Sequence, residues 1–375
     1  MIKRFFSRLD TYLMPQKVLV IYGPRRVGKT TLLNAFLKST TLRYKLDSGD
    51  NIRVQQLLGS RDFSQILPYA EGYELIAIDE AQQVQGIGAG LKIIVDHAPN
   101  IKIIATGSSS FDLAHQVGEP LTGRKFTITL YPIAQLELLD RYNRFELSQK
   151  LEDFLVFGSY PEIVTAKSRK EKIMLLQEIA ESYLLKDILV LDKVKGSKVL
   201  FDLLKLLAFQ IGSEVSYSEL ANSLRIDVKT VARYLDLLTK TFVITPLHGF
   251  SRNLRSEITR KHKYFFIDNG VRNAVISQFN PLEDRNDGGQ LFENFVFIER
   301  LKKRTYHGIL GNAYFWRTYE QQEIDLVEEG EGKLHGYECK WSTRRRATPP
   351  KLWRTAYPKA GFSAITPENY LEFIT

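Results

Sequence analysis

Gly23-Pro24-Arg25-Arg26-Val27-Gly28-Lys29-Thr30 has the form G-x-x-x-x-G-K-[ST], and its neighbours give the pattern its meaning. The run Val18–Tyr22 before it is continuously apolar, as a strand buried on both faces must be. The residues from Thr30 to Leu37 after it read as a helix. Strand, glycine-rich turn and helix start together make a phosphate loop. The glycines let the main chain curl until its N–H groups face phosphate oxygens, and the helix N-terminus adds partial positive charge. Lys29 is placed to reach the β- and γ-phosphates of ATP, and the Thr30 hydroxyl to ligate Mg²⁺. The expected ATP contacts are Gly23, Pro24, Arg25, Arg26, Val27, Gly28, Lys29, Thr30 and Thr31.

The next strand-like run, Leu75-Ile76-Ala77-Ile78, delivers Asp79 and Glu80 at its carboxyl end, where open α/β sheets bind their ligands. Asp79 is the candidate for the Mg²⁺ shell and Glu80 for the general base that polarises the attacking water. A third run, Ile101–Ala105, ends in Thr106-Gly107-Ser108-Ser109, and both Thr106 and Ser108 are candidates to sense the γ-phosphate. Arg124 is a candidate arginine finger, in cis or in trans, because a guanidinium is always charged and reads phosphate bidentately. An ordinary surface arginine is the other reading, and the same pair of readings applies to Arg25 and Arg26.

At 375 residues the chain exceeds one ordinary core and calls for two or three domains. Its composition is that of a globular protein, with 44% hydrophobic and 25% charged residues. A single cysteine, Cys339, excludes an internal disulfide and a cysteine-based zinc cluster, and fits a cytoplasmic location. No apolar run is long enough to span a membrane and the N-terminus has no secretion signal, so no membrane partner is expected. The net charge of +9 is concentrated: ten Lys/Arg and one acidic residue fall within residues 1–45, and the remainder balances. That segment can attract nucleic acid, or its charges can simply serve the ATP site.

Past the first 140 residues, helical spacings dominate from Leu151 to Val194, and Lys195-Gly196-Ser197 reads as a break. Ser216 and Glu219 have capping-box spacing, and a turn at Arg225-Ile226-Asp227 leads to a second helix, Val228–Thr239, followed by a strand at Val243–Leu247. Two short helices and a β wing form a helix-turn-helix arrangement that either contacts DNA or serves as a packing module. Strands are expected at Tyr264–Ile267, Tyr314–Arg317, Ile324–Val327 and Leu334–Lys340, with an exposed loop from Asn280 to Gln290.

The C-terminal candidates are Glu293, Asp325, Glu338 and Lys340. Glu338 and Lys340 share one face of a strand, a hairpin brings Asp325 near Glu338, and Glu293 lies on the preceding helix. Carboxylates meeting a lysine can bind Mg²⁺, here through Asp325 and Glu338, and hydrolyse a phosphodiester. Arg344-Arg345-Arg346, with Lys351 and Arg354, can line a phosphate backbone or form a solvated turn.

The stretches G-P-R-R-V-G-K-T-T-L-L, I-A-I-D-E-A-Q and A-T-G-S-S-S resemble a widespread prokaryotic family of AAA-type ATPases, and the resemblance continues through L-Y-P-I-A-Q-L-E and F-F-I-D-N-G-V-R-N-A to E-C-K-W. It implies an α/β fold: a P-loop ATPase core over 1–140, a helical lid and winged-helix unit over 141–250, and a restriction-endonuclease-like PD-(D/E)XK domain over 251–375. It gives Lys29, Thr30, Asp79 and Glu80 the roles argued above, and Glu293, Asp325, Glu338 and Lys340 those of the nuclease pattern. Two functions follow as expectations. One is an ATPase coupled to a metal-dependent DNA nuclease; the other is an ATP-dependent DNA- or protein-binding switch whose C-terminal domain is inactive.

Overall fold

The computed structural model describes residues 2–108, 120–183, 197–251, 262–342 and 347–375. Ser109, the Lys195-Gly196 break and Arg344-Arg345-Arg346 lie outside these residues.

The first unit is a five-stranded sheet of β1 (Val18–Tyr22), β2 (Tyr44–Ser48), β3 (Leu75–Asp79), β4 (Lys102–Gly107) and β5 (Lys125–Thr129), in the spatial order β2-β3-β4-β1-β5. Every pairing is parallel. The central strands are apolar along most of their length because both faces are covered. Val18, Val20, Ile76, Ile78 and Ile103 pack beneath α2 (Ile52–Gly59), α3 (Phe63–Ala70) and α4 (Ile87–His97). Leu19, Ile21, Ala77 and Ile104 pack on the opposite side with α1 (Lys29–Ser39). The order sets the carboxyl ends of β3 and β4 beside that of β1, where the phosphate loop begins. β2 has no counterpart among the predicted strands. Tyr44-Lys45-Leu46-Asp47-Ser48 is a partly exposed edge strand with two charges, so its apolar signal is weak.

Helices Leu151–Phe157, Pro161–Thr165 and Arg169–Glu178 follow, and then Ser197–Phe209. Next come β6 (Glu214–Val215), helices Tyr217–Leu224 and Val228–Lys240, β7 (Ile244–Gly249) and β8 (His262–Phe266). Ser216 caps the first of these helices by accepting from Glu219 N, and Asp227 caps the second by accepting from Thr230 N at 2.8 Å. The C-terminal part runs through the 20-residue helix Gly288–His307, β9 (Asn312–Arg317), β10 (Glu323–Gly330), β11 (Lys333–Cys339), helix Lys351–Ala356 and β12 (Gly361–Ile365). Its strands join those of the middle unit in one seven-stranded sheet, β12-β11-β10-β9-β7-β8-β6. The join is the parallel pairing of β7 with β9, His248 opposite Tyr314 and Gly249 opposite Phe315. Backbone hydrogen bonds therefore cross the expected domain boundary at 250/251.

The segment expected as an exposed loop is only partly so. Asp287 sits between Arg272, at 2.6 Å, and Arg285, at 2.8 Å. Burial pushes the Asp287 carboxyl up, but hydrogen bonds from Arg285 and the charge of Arg272 outweigh it and hold the group at about 2. These ion pairs tie the polar loop to the core, and the helix then begins at Gly288.

The stretch Phe265–Ala274 is a buried polar joint. Asp268 caps helix Asn269–Val275 and accepts from Ser159 N at 2.7 Å. Asn273 donates to the carbonyls of Leu155 and Val156, and Asn294 bonds both backbone groups of Phe266. Gly158 makes the approach possible, since a Cβ there would stand 1.9 Å from Asp268 Oδ1, and its φ of 71° and ψ of −158° suit glycine alone. Gly158→Ala is expected to cost on the order of 3 kcal/mol or more, read as a lowered midpoint in urea denaturation. Among the described residues no helix is long and apolar enough to cross a membrane.

Candidate functional site

Gly23 leaves β1 with φ 152°, and any side chain would collide with the Leu130 carbonyl, 2.0 Å from an ideal Cβ. The loop between it and Gly28 folds over Lys29, which is 5% exposed. Lys29 Nζ donates to the carbonyls of Gly23 and Pro24, both at 2.8 Å, so the ammonium is already held across the mouth of the loop. Behind it, Arg4 donates to Val27 O, to Tyr131 O at 2.7 Å and to Glu137 Oε1 at 2.9 Å. Arg4 also lies 3.5 Å from the Tyr306 hydroxyl, which ties the back of the loop to the long C-terminal helix.

Facing the loop, Thr30 Oγ1 donates to Asp79 Oδ2 at 2.8 Å. The Thr106 hydroxyl donates to Asp79 Oδ1 and accepts from Glu80 N at 3.1 Å, so a single side chain fixes both acidic residues. Glu80 turns away from β3 in the left-handed region, φ 50°. Gln82 Nε2 donates to Glu80 Oε2 and, at 3.1 Å, to Ser108 Oγ. Both sensor candidates thus reach the acidic pair, Thr106 directly and Ser108 through Gln82. A cleft of about 420 Å³ opens here, lined by Arg25, Arg26, Gly28, Lys29, Thr30, Thr31 and Glu80, with Pro161 and Glu162 as its far wall. Two oxygens already adjacent suit Mg²⁺, which takes one or two protein oxygens and fills its remaining positions with phosphate and water.

Arg26 lines the cleft and donates to Glu162 in its far wall at 3.1 Å and to Glu178 at 2.5 Å. Arg124 is not brought to the loop of its own chain. Its carbonyl accepts from Val18 N, at the start of β1, and its guanidinium pairs with Asp96 at 2.5 Å. The loop follows the other end of β1, about 13 Å away at the usual rise per residue.

The C-terminal residues do converge. A two-residue turn, Glu331-Gly332, joins β10 to β11, and the register that sets Leu326 against Tyr337 brings Asp325 opposite Glu338. A register shift against β9 between Ile324 and Val327 re-aims this stretch. Asp325 Oδ2 accepts from Cys339 N at 2.8 Å, and Lys340 Nζ donates to Glu338 Oε1 at 2.6 Å. Glu293, from the long helix, meets a lysine absent from the expected set: Lys263 of β8, 1% exposed, 3.3 Å from Glu293 and 2.5 Å from Glu323. Burial, then the charges of Glu293 and Glu338, hold the Asp325 carboxyl well above the carboxylate range. Burial likewise raises Glu293, against the opposing charge of Lys263. Burial lowers the Lys263 ammonium, but the charges of Glu293, Glu323 and Asp325 outweigh it and hold the group above the ordinary lysine range.

A divalent ion at Asp325 and Glu338 would have the Lys263 ammonium as a neighbour. The Lys263 ammonium stands between Glu293 and Glu323, and Glu338 Oε2 is buried with no hydrogen-bond partner among the described residues. Glu323 stands two residues before Asp325 and Lys263 immediately precedes the apolar run Tyr264–Ile267, but neither was singled out by the sequence. Nothing in the spacing singled out Arg4 or Gln82.

Residues 15–139 match a protein-family profile described as an AAA domain. Residues 148–282 and 288–369 match two further profiles, each described as a domain of unknown function. An uncharacterised protein of Haemophilus influenzae is 29% identical over 335 residues, covering 83% of this chain and 79% of its own. One from Mycobacterium tuberculosis is 28% identical over 346 residues, covering 92% of this chain and 74% of its own. Among solved structures, AMPPCP-bound DnaA from Aquifex aeolicus aligns over 62% of this chain and 83% of its own, at 16% identity and a TM-score of 0.28. The strand order and the profile match agree on an AAA-type ATPase domain at the N-terminal end.

Proposed function

We propose that the chain binds ATP with Mg²⁺ at the phosphate loop and hydrolyses it. The observation that carries this reading is the 2.8 Å hydrogen bond between Thr30 and Asp79, where two oxygens from separate elements meet beside a buried lysine. Main-chain N–H groups at the start of α1 take the β-phosphate, and Lys29 exchanges its two carbonyl partners for phosphate oxygens. Thr30 and Asp79 would hold the Mg²⁺, which when bound would draw charge from the β- and γ-phosphates. Glu80 accepts the proton of the attacking water, while Thr106 keeps Asp79 and the Glu80 backbone in fixed relation. An adjoining cleft of about 350 Å³, walled by Val27, Leu32 and Ile133, suits the adenine.

The order helix, strand, two helices, hairpin supports a winged-helix unit, with Lys229 and Arg233 exposed on its second helix as the means of meeting DNA. The order helix, three strands, helix, strand supports a PD-(D/E)XK-like domain after it. Between a coupled nuclease and an ATP-driven switch, the Lys263 ammonium within the carboxylate cluster favours the switch. Phosphate release from ATP is expected to require Mg²⁺ and to fall to background in EDTA. Plasmid incubated with the protein, ATP and Mg²⁺ or Mn²⁺ is expected to stay intact. Cleavage that disappears in both Asp325→Ala and Lys340→Ala would restore the nuclease reading.

A further inference from the structure

A buried ammonium persists only with partners, and Lys263 has two from different elements: Glu293 on the long helix and Glu323 on β10. It reaches them from β8, a strand of the middle unit's hairpin, with the Phe315 ring 5.4 Å below. Three elements therefore close on a positive charge that the chain itself supplies. Of the other two carboxylates, Asp325 Oδ2 accepts from Cys339 N and Glu338 Oε1 from Lys340, while Glu338 Oε2 is buried with no hydrogen-bond partner among the described residues. A cation entering the cluster beside Glu338 Oε2 would meet the repulsion of the Lys263 charge already in place.

We propose that Lys263 is a built-in cation that closes the C-terminal carboxylate cluster to divalent metal and turns it into an ion-pair joint between β8, β10 and the long helix. The inference goes beyond the ATPase reading and stands whether or not the chain turns over ATP. It makes the middle unit a contributor to the cluster, in keeping with the sheet that runs through both.

The test is a Mn²⁺ titration by calorimetry on the full chain without nucleotide, in an Asp79→Asn background that removes the metal ligand of the ATP cleft. With Lys263 intact, no Asp325-dependent binding is expected at millimolar Mn²⁺. Lys263→Met frees Glu293 and Glu323, and is expected to create a site at least about tenfold tighter than that limit, abolished by adding Asp325→Asn. Lys263→Arg, which keeps the charge, is expected to stay closed. A folded Lys263→Met chain that gains no site overturns the proposal. Where Lys263→Met does not fold, the charge-matched Lys263→Met/Glu293→Gln chain is expected to gain at least about threefold, through Glu323, and no gain overturns the proposal equally. The Lys263-intact measurement decides independently of the variants, since Asp325-dependent Mn²⁺ binding there contradicts a closed cluster. Loss of ATP binding in a separate titration would sink the ATPase reading and leave this one untouched.

Discussion

Lys29→Ala is expected to abolish ATP binding while leaving the fold in place. The ammonium is nearly buried and donates to the carbonyls of Gly23 and Pro24, which it is poised to exchange for phosphate oxygens. Net hydrogen bonds to a charged group are worth about 1.5–3 kcal/mol each, and two of them about 3–6 kcal/mol, a loss of roughly 10² to 10⁴-fold in Kd. Calorimetry with ATP and Mg²⁺ measures it, with circular dichroism as the check on folding. Affinity within a few-fold of wild type would remove Lys29 from the phosphate site.

Glu80→Gln is expected to separate binding from turnover. The substitution keeps shape and hydrogen-bonding reach and removes the acceptor of the water's proton. General base catalysis contributes about 10² to 10⁴-fold, so kcat should fall by that factor with Kd nearly unchanged. The local geometry supports the assignment. Gln82 and the Thr106 hydroxyl position Glu80 at the edge of the cleft, whereas Asp79 is bonded to Thr30 and Thr106 on both oxygens. Normal turnover in Glu80→Gln would move the base elsewhere, and loss in Asp79→Asn with retained turnover in Glu80→Gln would limit the acidic pair to holding metal.

The phosphate-loop end of the molecule was legible because its chemistry is local in sequence. The run Val18–Tyr22 and the glycine spacing after it fix a strand, a turn and a helix within 20 residues, and Leu75–Asp79 repeats the buried-strand signal. What escaped depends on contacts between distant segments. Arg4 reaches Val27, Glu137 and Tyr306, separated from it by up to 302 positions, and no periodicity announces that. Arg124 had the right residue type beside a strand, but at that strand's amino end, which only the parallel register to β1 reveals. In the C-terminal part, Asp325, Glu338 and Lys340 were readable from strand alternation and a hairpin. Lys263 was not, because it reaches Glu293 and Glu323 from β8, a strand distant from both in sequence.

The most direct measurement is a crystal structure with a non-hydrolysable ATP analogue and Mg²⁺. The account predicts the β- and γ-phosphates at the start of α1 and at Lys29 Nζ, with the metal about 2.0–2.1 Å from Thr30 Oγ1 and Asp79 in its shell. Phosphates bound elsewhere, or a metal at the C-terminal carboxylates with the cleft beside Thr30 and Asp79 vacant, would contradict it.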